Sequence, residues 1–579
     1  DQAIGSKRWI EEGSVALKAF IDHIRQRSYA GQVWGISFGV GSNSEWFWKL
    51  TDAKGKLDWA GYSKADQQKF RSVLREIYGT DEALAKAWNV PGLTFDTAEL
   101  PHFERAYKGS VGVLFDPAKD QQVMDWLKSR TRSMSDALIG FGKCVKEATD
   151  GKWLVGAYYG YSCEFATSSS PQLIGHNGYV DAASSPYVDF VHAPSRYLNR
   201  RTGLSEQSMQ TIDTWLLRGK MIYTELDSRT AYGSIEVGAN KFYAGSPDTG
   251  LQSVGQLNRG FGMMLATGTL NYWYDITCGS LYENAINRIV KEQIDVRDAL
   301  PPVKNLTPAE VAVVFDRDSV YYTKVGGKDS IWAASHYGIF RYFQCTAVPF
   351  RDMSKQDLLD KSIKVPAHKC YIMLPTLVLT KDERSELMAR FEREGASVIW
   401  LYAAGAFYPG NGPSGDNCCD FLGIKTRMTQ SLWQPAMKTT EEFGGIDCVN
   451  YNESAPWFIP VSGYDKVVGT DDQGQALMVS KKIGKATHYF TTLRNLPVEF
   501  YAAIFPKMGV HRYMTEINDP CWIGNDVIFL HAATGGEKRF NLPKGCKAEG
   551  IIGPYRGTLE DGDSFNAISG LTYGFLIKK

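Results

Sequence analysis

In the first half of this 579-residue chain, acidic residues stand where apolar runs give way to polar loops. Glu45 follows VWGISFGV (33–40), and Glu164 follows KWLVGAYYGY (152–161). Glu225 closes GKMIYTE (219–225), with Asp227 two residues on, and Asp275 follows TLNYWY (269–274). Two carboxylates facing each other across a cleft suit glycoside hydrolysis. One, protonated, serves the leaving oxygen while the other, ionised, works from the opposite side. A separation of about 5–5.5 Å gives retention and about 6.5–9.5 Å inversion, and the residues alone leave both open. Taken singly, each acid is more often a helix-cap neighbour or half of an ion pair, and Asp227 with Arg229 reads as such a pair, with Arg229 also a candidate substrate contact.

Other residue types cluster around these acids. In GSNSEWFW (41–48), Trp46 and Trp48 flank Phe47 directly after Glu45, either as core rings or as a platform for a sugar. Tyr158, Tyr159, Tyr161 and Trp273, near strand ends, are candidates for stacking or hydrogen bonding around a sugar ring. His192, in VDFVHAP (188–194), either bonds a substrate hydroxyl or is a satisfied buried imidazole. Arg196, Arg200 and Arg201, in SRYLNRRTG (195–203), either bind an anionic sugar or form a solvated basic loop.

Competing chemistries lack their residues. There is no GxxxxGK[ST] loop and no HExxH pair, and the glycines of SFGVGSNS (37–44) match no dinucleotide fingerprint. The ten cysteines contain no CxxC, only the adjacent Cys418 and Cys419, so they read as buried thiols rather than a zinc site. No metal and no organic cofactor is expected.

The elements that position these groups follow from periodicity. Five apolar runs alternate with amphipathic helices in the first 300 residues, the pattern of parallel strands buried on both faces. Polar groups at the carboxyl ends of such strands, on long loops, are where a (β/α)8 barrel carries its active site. A closed barrel has eight strands, and this chain opens on a mid-domain helix. Three strands are therefore expected upstream of residue 1, along with any signal peptide, and localisation stays open. PPVKNLTP (301–308) reads as a linker, and AEVAVVFDR (309–317) opens a second α/β region. From about residue 515 the pattern is all-β. The expected domains are 1–304, 305–514 and 515–579. Lys+Arg and Asp+Glu both number 64, which gives no excess charge to draw nucleic acid or an anionic membrane. The longest mostly apolar stretch (261–274) is too short to span a bilayer.

At GYSKADQQKFRSVLREIYGTDEALAKAWNV (61–90) the chain resembles glycoside hydrolase family 42, the β-galactosidases, or a close clan relative. In that family a phrase of this type follows the acid/base glutamate of the barrel's fourth strand, and the seventh strand ends in the nucleophile glutamate. The resemblance implies Glu45 as acid/base and, through KMIYTELDS (220–228), Glu225 as nucleophile. It makes this chain strands four to eight of a TIM barrel. VAVVFDRDSVYY (311–322) then opens an amidotransferase-like domain used for trimer formation, and a small antiparallel β domain closes the chain. The implied activity is a retaining, exo-acting β-glycosidase on oligosaccharides, most similar to a β-galactosidase. Other readings are another sugar specificity (mannoside, glucoside or sulfated galactan fragment) or a non-catalytic sugar-binding protein on the same fold. Trp46, Trp48 and the Glu225 carboxylate would raise the Glu45 pKa so that it starts protonated. The chain departs from the family at Ser44, where an asparagine contacting the sugar 2-hydroxyl is usual, and Asn43 is the nearest substitute.

Overall fold

Apolar runs bounded by Gly and polar residues become strands, and the amphipathic stretches between them become capped helices. The structure is a computed structural model. It describes residues 3–41, 44–48, 60–164, 171–232, 247–275, 281–326, 330–450 and 454–579. The first region holds a five-stranded, all-parallel sheet in chain order. Its strands are β1 (Gly35–Phe38), β2 (Leu154–Tyr158), β3 (Phe190–Pro194), β4 (Met221–Leu226) and β5 (Leu270–Trp273). These are the five expected runs. Among the described residues the sheet stays open, with β1 and β5 as its edges, and closure into an eight-stranded barrel is not formed by them.

Local chemistry sets the helix ends. Ser63 and Asp66 form a capping box at Lys64–Tyr78, and Gly79 (φ 72°) ends that helix in a conformation glycine adopts without strain. The long helix Pro117–Ala148 begins at an Asp116 cap with Pro at its first position. Its buried face packs under the sheet, with Met134, Ala137 and Leu138 against Ala157 and Val191.

The second region is built on a nine-stranded mixed sheet. Its central strands, Val311–Phe315, Cys370–Met373 and Ser397–Leu401, are parallel and almost wholly buried, as covered parallel strands are. A five-stranded antiparallel sheet closes the chain, with Val527–His531 and Thr572–Lys578 at its centre. The described cysteines are buried free thiols, and Cys278 lies outside the described residues. No described helix is long and apolar enough to cross a membrane.

The first sheet docks on the other regions through polar contacts. The helix Ile212–Leu216, which leads into β4, meets the second sheet where Asp352 N–H donates to Asp213 Oδ2 at 2.9 Å. Trp522 of the last sheet donates its indole N–H to the Glu206 carbonyl at 3.0 Å. These contacts fix the segment between β3 and β4, which leads into the strand carrying Glu225.

Candidate active site

The carboxyl ends of the parallel strands carry the polar groups. Glu225, next to last in β4, accepts hydrogen bonds on Oε2 from the hydroxyls of Tyr158 (2.5 Å) and Tyr272 (2.8 Å). Tyr272 is in register with Glu225 across β4 and β5, so strand pleating turns both side chains to one face. The two phenol hydroxyls also touch each other. Burial pushes the Glu225 carboxyl above its ordinary value, and the two phenol bonds oppose that shift. Asp227 adds to the rise and Arg200 reduces it. Those two form a buried ion pair, with Arg200 lying 4.1 Å over the Tyr197 ring.

Glu45 opens the short strand Glu45–Phe47, which pairs with Val40 and Gly41 just beyond β1. The Tyr161 hydroxyl donates to Glu45 Oε1 at 3.1 Å. Burial raises the phenols of Tyr158, Tyr161 and Tyr197, and the negative charges of both Glu45 and Glu225 add to each rise. The two glutamates therefore act on one group of tyrosines, although 180 positions separate them in the chain (225 − 45). Among the described residues, no group of three His, Cys, Asp or Glu side chains is placed to hold a metal.

Several expected site residues lie elsewhere. Trp46 is fully buried, its indole N–H on the Phe38 carbonyl at 3.0 Å and its ring edge-on to Tyr159. It therefore has no face to offer a sugar. Trp46 packs on Phe38 and Tyr159, and Trp48 is buried beneath Arg130, so neither indole is the expected cover for the Glu45 carboxyl, which meets the Tyr161 hydroxyl. Tyr159 is likewise buried, its hydroxyl on the Gly175 carbonyl at 2.8 Å. Trp273 is in register with Leu226, on the face opposite Glu225, and packs with the Phe261 and Phe529 cluster.

Arg196, expected to meet an anionic sugar or solvent, does neither. It is 1 % exposed and pairs with Glu164 at 3.3 Å. Arg229 donates to the Asp227 carbonyl at 3.0 Å and pairs with its carboxylate at 3.6 Å, the structural pairing expected as one reading. The ring of His192 stacks on Tyr158 at 4.9 Å, and burial pushes its pKa down to about 4. Both of its ring nitrogens are buried without a hydrogen-bond partner among the described residues, so it is not the satisfied histidine expected as one reading. Asn43 lies outside the described residues.

Tyr272, Tyr197 and His176 were not anticipated from the sequence. Tyr272 was legible in principle, since alternation along β5 makes either it or Trp273 face Glu225, and register with β4 selects Tyr272. His176 carried no local signal.

No protein-family model matches the chain, and no curated protein sequence does. Solved structures do. The β-galactosidase from Rahnella sp. R3 aligns with a TM-score of 0.65 at 13% identity, over 100% of this chain and 82% of that one. The β-galactosidase from Halorubrum lacusprofundi aligns at 0.68 and 12%, over 99% and 83%. A family 42 exo-carrageenase from Bacteroides ovatus aligns at 0.50 and 8%, over 92% and 65%. Along almost its whole length, this chain has the fold of β-galactosidases of known structure.

Proposed function

We propose that the protein is a retaining, exo-acting β-glycosidase of β-galactosidase type, a divergent relative of glycoside hydrolase family 42. It would remove terminal β-linked sugars from oligosaccharides. The observation that carries this reading is the convergence of Glu45 and Glu225 on one tyrosine cluster at the carboxyl ends of parallel strands. The shared fold supports it.

Glu225 is the nucleophile. Tyr158 and Tyr272 hold Oε2, which leaves Oε1 to attack the anomeric carbon as the glycosidic C–O bond breaks. Glu45 gives its proton to the leaving oxygen, so the aglycone departs as an alcohol. The Glu45 carboxylate then takes a proton from water. That water attacks the glycosyl-enzyme, frees Glu225 and releases the sugar with its configuration retained. The pairing of Arg196 with Glu164 and of Arg200 with Asp227 weakens the case for an anionic substrate, which rested on these two arginines and Arg201.

Turnover of a panel of activated aryl β-glycosides tests the reading. Wild-type protein should turn over at least one, with the β-galactoside expected first. Glu225→Ala and Glu45→Gln should each abolish steady turnover while thermal unfolding stays that of the wild type. A Glu225→Ala protein that keeps the wild-type rate would overturn it, and sugar binding without turnover would make the protein a binding module.

A further inference from the structure

Glu45 sits in a backbone that needs support. Ser44 (φ 65°) and Trp46 (φ 59°), on either side of it, are both in the left-handed region. Residues with a Cβ, bulky ones above all, leave that region unless their surroundings hold them there. Trp46 is anchored through its indole to Phe38, and Trp48 N–H donates to the Ile174 carbonyl at 3.3 Å. A further tether is an imidazole. His176 Nε2 lies 3.0 Å from the Glu45 carbonyl and 3.2 Å from the Trp46 carbonyl.

The proton on that ring is fixed by its partners. Nδ1 receives the main-chain N–H groups of Gly160 and Tyr161, both at 3.1 Å, so Nδ1 is bare and Nε2 carries the hydrogen. The ring is wholly buried among Tyr159 (4.9 Å), Tyr161 (4.8 Å) and Phe47 (5.0 Å). Burial pushes its pKa down to about 3, so it remains neutral and gives no proton to a substrate. Tyr161, whose N–H binds Nδ1, turns its own hydroxyl to Glu45 Oε1. One imidazole thus joins the main chain of Glu45 to the residue that grips the Glu45 carboxyl.

We propose that His176 is a positioning residue for Glu45. It locks the Glu45–Trp46 main chain to the Gly160–Tyr161 main chain and so sets the carboxyl against the leaving oxygen of the glycoside. This rests on Glu45 being the acid/base. A displaced general acid penalises leaving groups that must be protonated and spares those that depart as stable anions.

The test compares kcat/KM for the phenyl and 2,4-dinitrophenyl β-glycosides of one sugar. The ratio of the two is independent of how much of a variant is folded. His176→Phe keeps a ring of similar size and removes both sets of hydrogen bonds, whereas His176→Gln keeps a donor for the main-chain carbonyls. The phenyl/dinitrophenyl ratio should fall about 100-fold in His176→Phe and by no more than about 10-fold in His176→Gln. On a Glu45→Gln background, adding His176→Phe should leave the first-turnover release of 2,4-dinitrophenolate unchanged, because the acid it positions is gone. A ratio left unchanged by His176→Phe, with wild-type turnover of both substrates, overturns the positioning role alone. A wild-type protein that turns over neither, on any sugar, overturns the glycosidase reading and this role with it.

Discussion

Tyr158, on β2, donates its hydroxyl to Oε2 of Glu225, on β4, at 2.5 Å across the intervening strand, and Tyr272 reaches the same oxygen from β5. Three strands thus fix one carboxylate. Both bonds favour the ionised form and hold down a pKa that burial has raised above 4.5. A nucleophile must be ionised, so activity rises as pH rises through this pKa. Removing either donor raises it further. Tyr158→Phe and Tyr272→Phe should each move the acid limb of the kcat/KM–pH profile to higher pH and lower kcat/KM by about 10- to 100-fold. Unmoved acid limbs in both variants would show that these phenols do not tune Glu225.

Trp46 is a core residue despite its place beside Glu45. Trp46→Ala should cost about 3–5 kcal/mol in denaturant unfolding, the usual cost of emptying a buried aromatic site. A sugar platform would behave differently, raising KM with stability unchanged.

The Arg196–Glu164 pair is buried, so removing the guanidinium takes a close counter-charge from a buried carboxylate. Arg196→Met should destabilise the protein by about 3–5 kcal/mol, and adding Glu164→Gln should recover much of that loss. Urea unfolding of both variants measures this. Discrimination between sulfated and neutral aryl glycosides should not change; a selective loss on the sulfated one would restore Arg196 as a substrate contact.

Asp213 and Asp352 meet where the first sheet docks on the second, each accepting the main-chain N–H of the other, at 3.2 and 2.9 Å. Burial, then the neighbouring Asp213 charge, pushes Asp352 up from 3.8 to about 8. A carboxyl with a raised folded-state pKa binds its proton more tightly in the native protein. Its stabilising contribution is full below about pH 4 and is lost as pH rises to about 8. Asp352→Asn carries no charge at any pH and keeps a carbonyl acceptor for the Asp213 N–H. The melting temperature of the wild type relative to Asp352→Asn should therefore fall steadily across that window. A difference that stays flat with pH would contradict the docking role of the protonated carboxyl.

Much of the frame was legible because it rests on short-range physics. Apolar runs of parallel-strand length marked all five strands of the first sheet, and the acids at their ends included both Glu45 and Glu225. Capping boxes and terminal glycines bound the helices Lys64–Tyr78 and Lys381–Glu394. What misled was residue type read without direction. Trp273 looked like a sugar platform, yet its neighbour Tyr272 faces Glu225, because strand register, set by pairing with β4, decides which of two adjacent rings points inward. Arg196 looked free because its partner Glu164 lies on a different loop, 32 positions upstream.

The sequence by itself determined the parallel strands, their order of appearance and the two glutamates at their ends, since periodicity and chain punctuation are local properties. Only the tertiary structure decided which side chains share a face and which partners they meet. It buried Trp46 and Tyr159, paired Arg196 with Glu164, set two phenols on Glu225 and placed His176 against the Glu45 main chain. Those outcomes depend on strand register and on contacts between residues far apart in the chain, which no single stretch of sequence encodes.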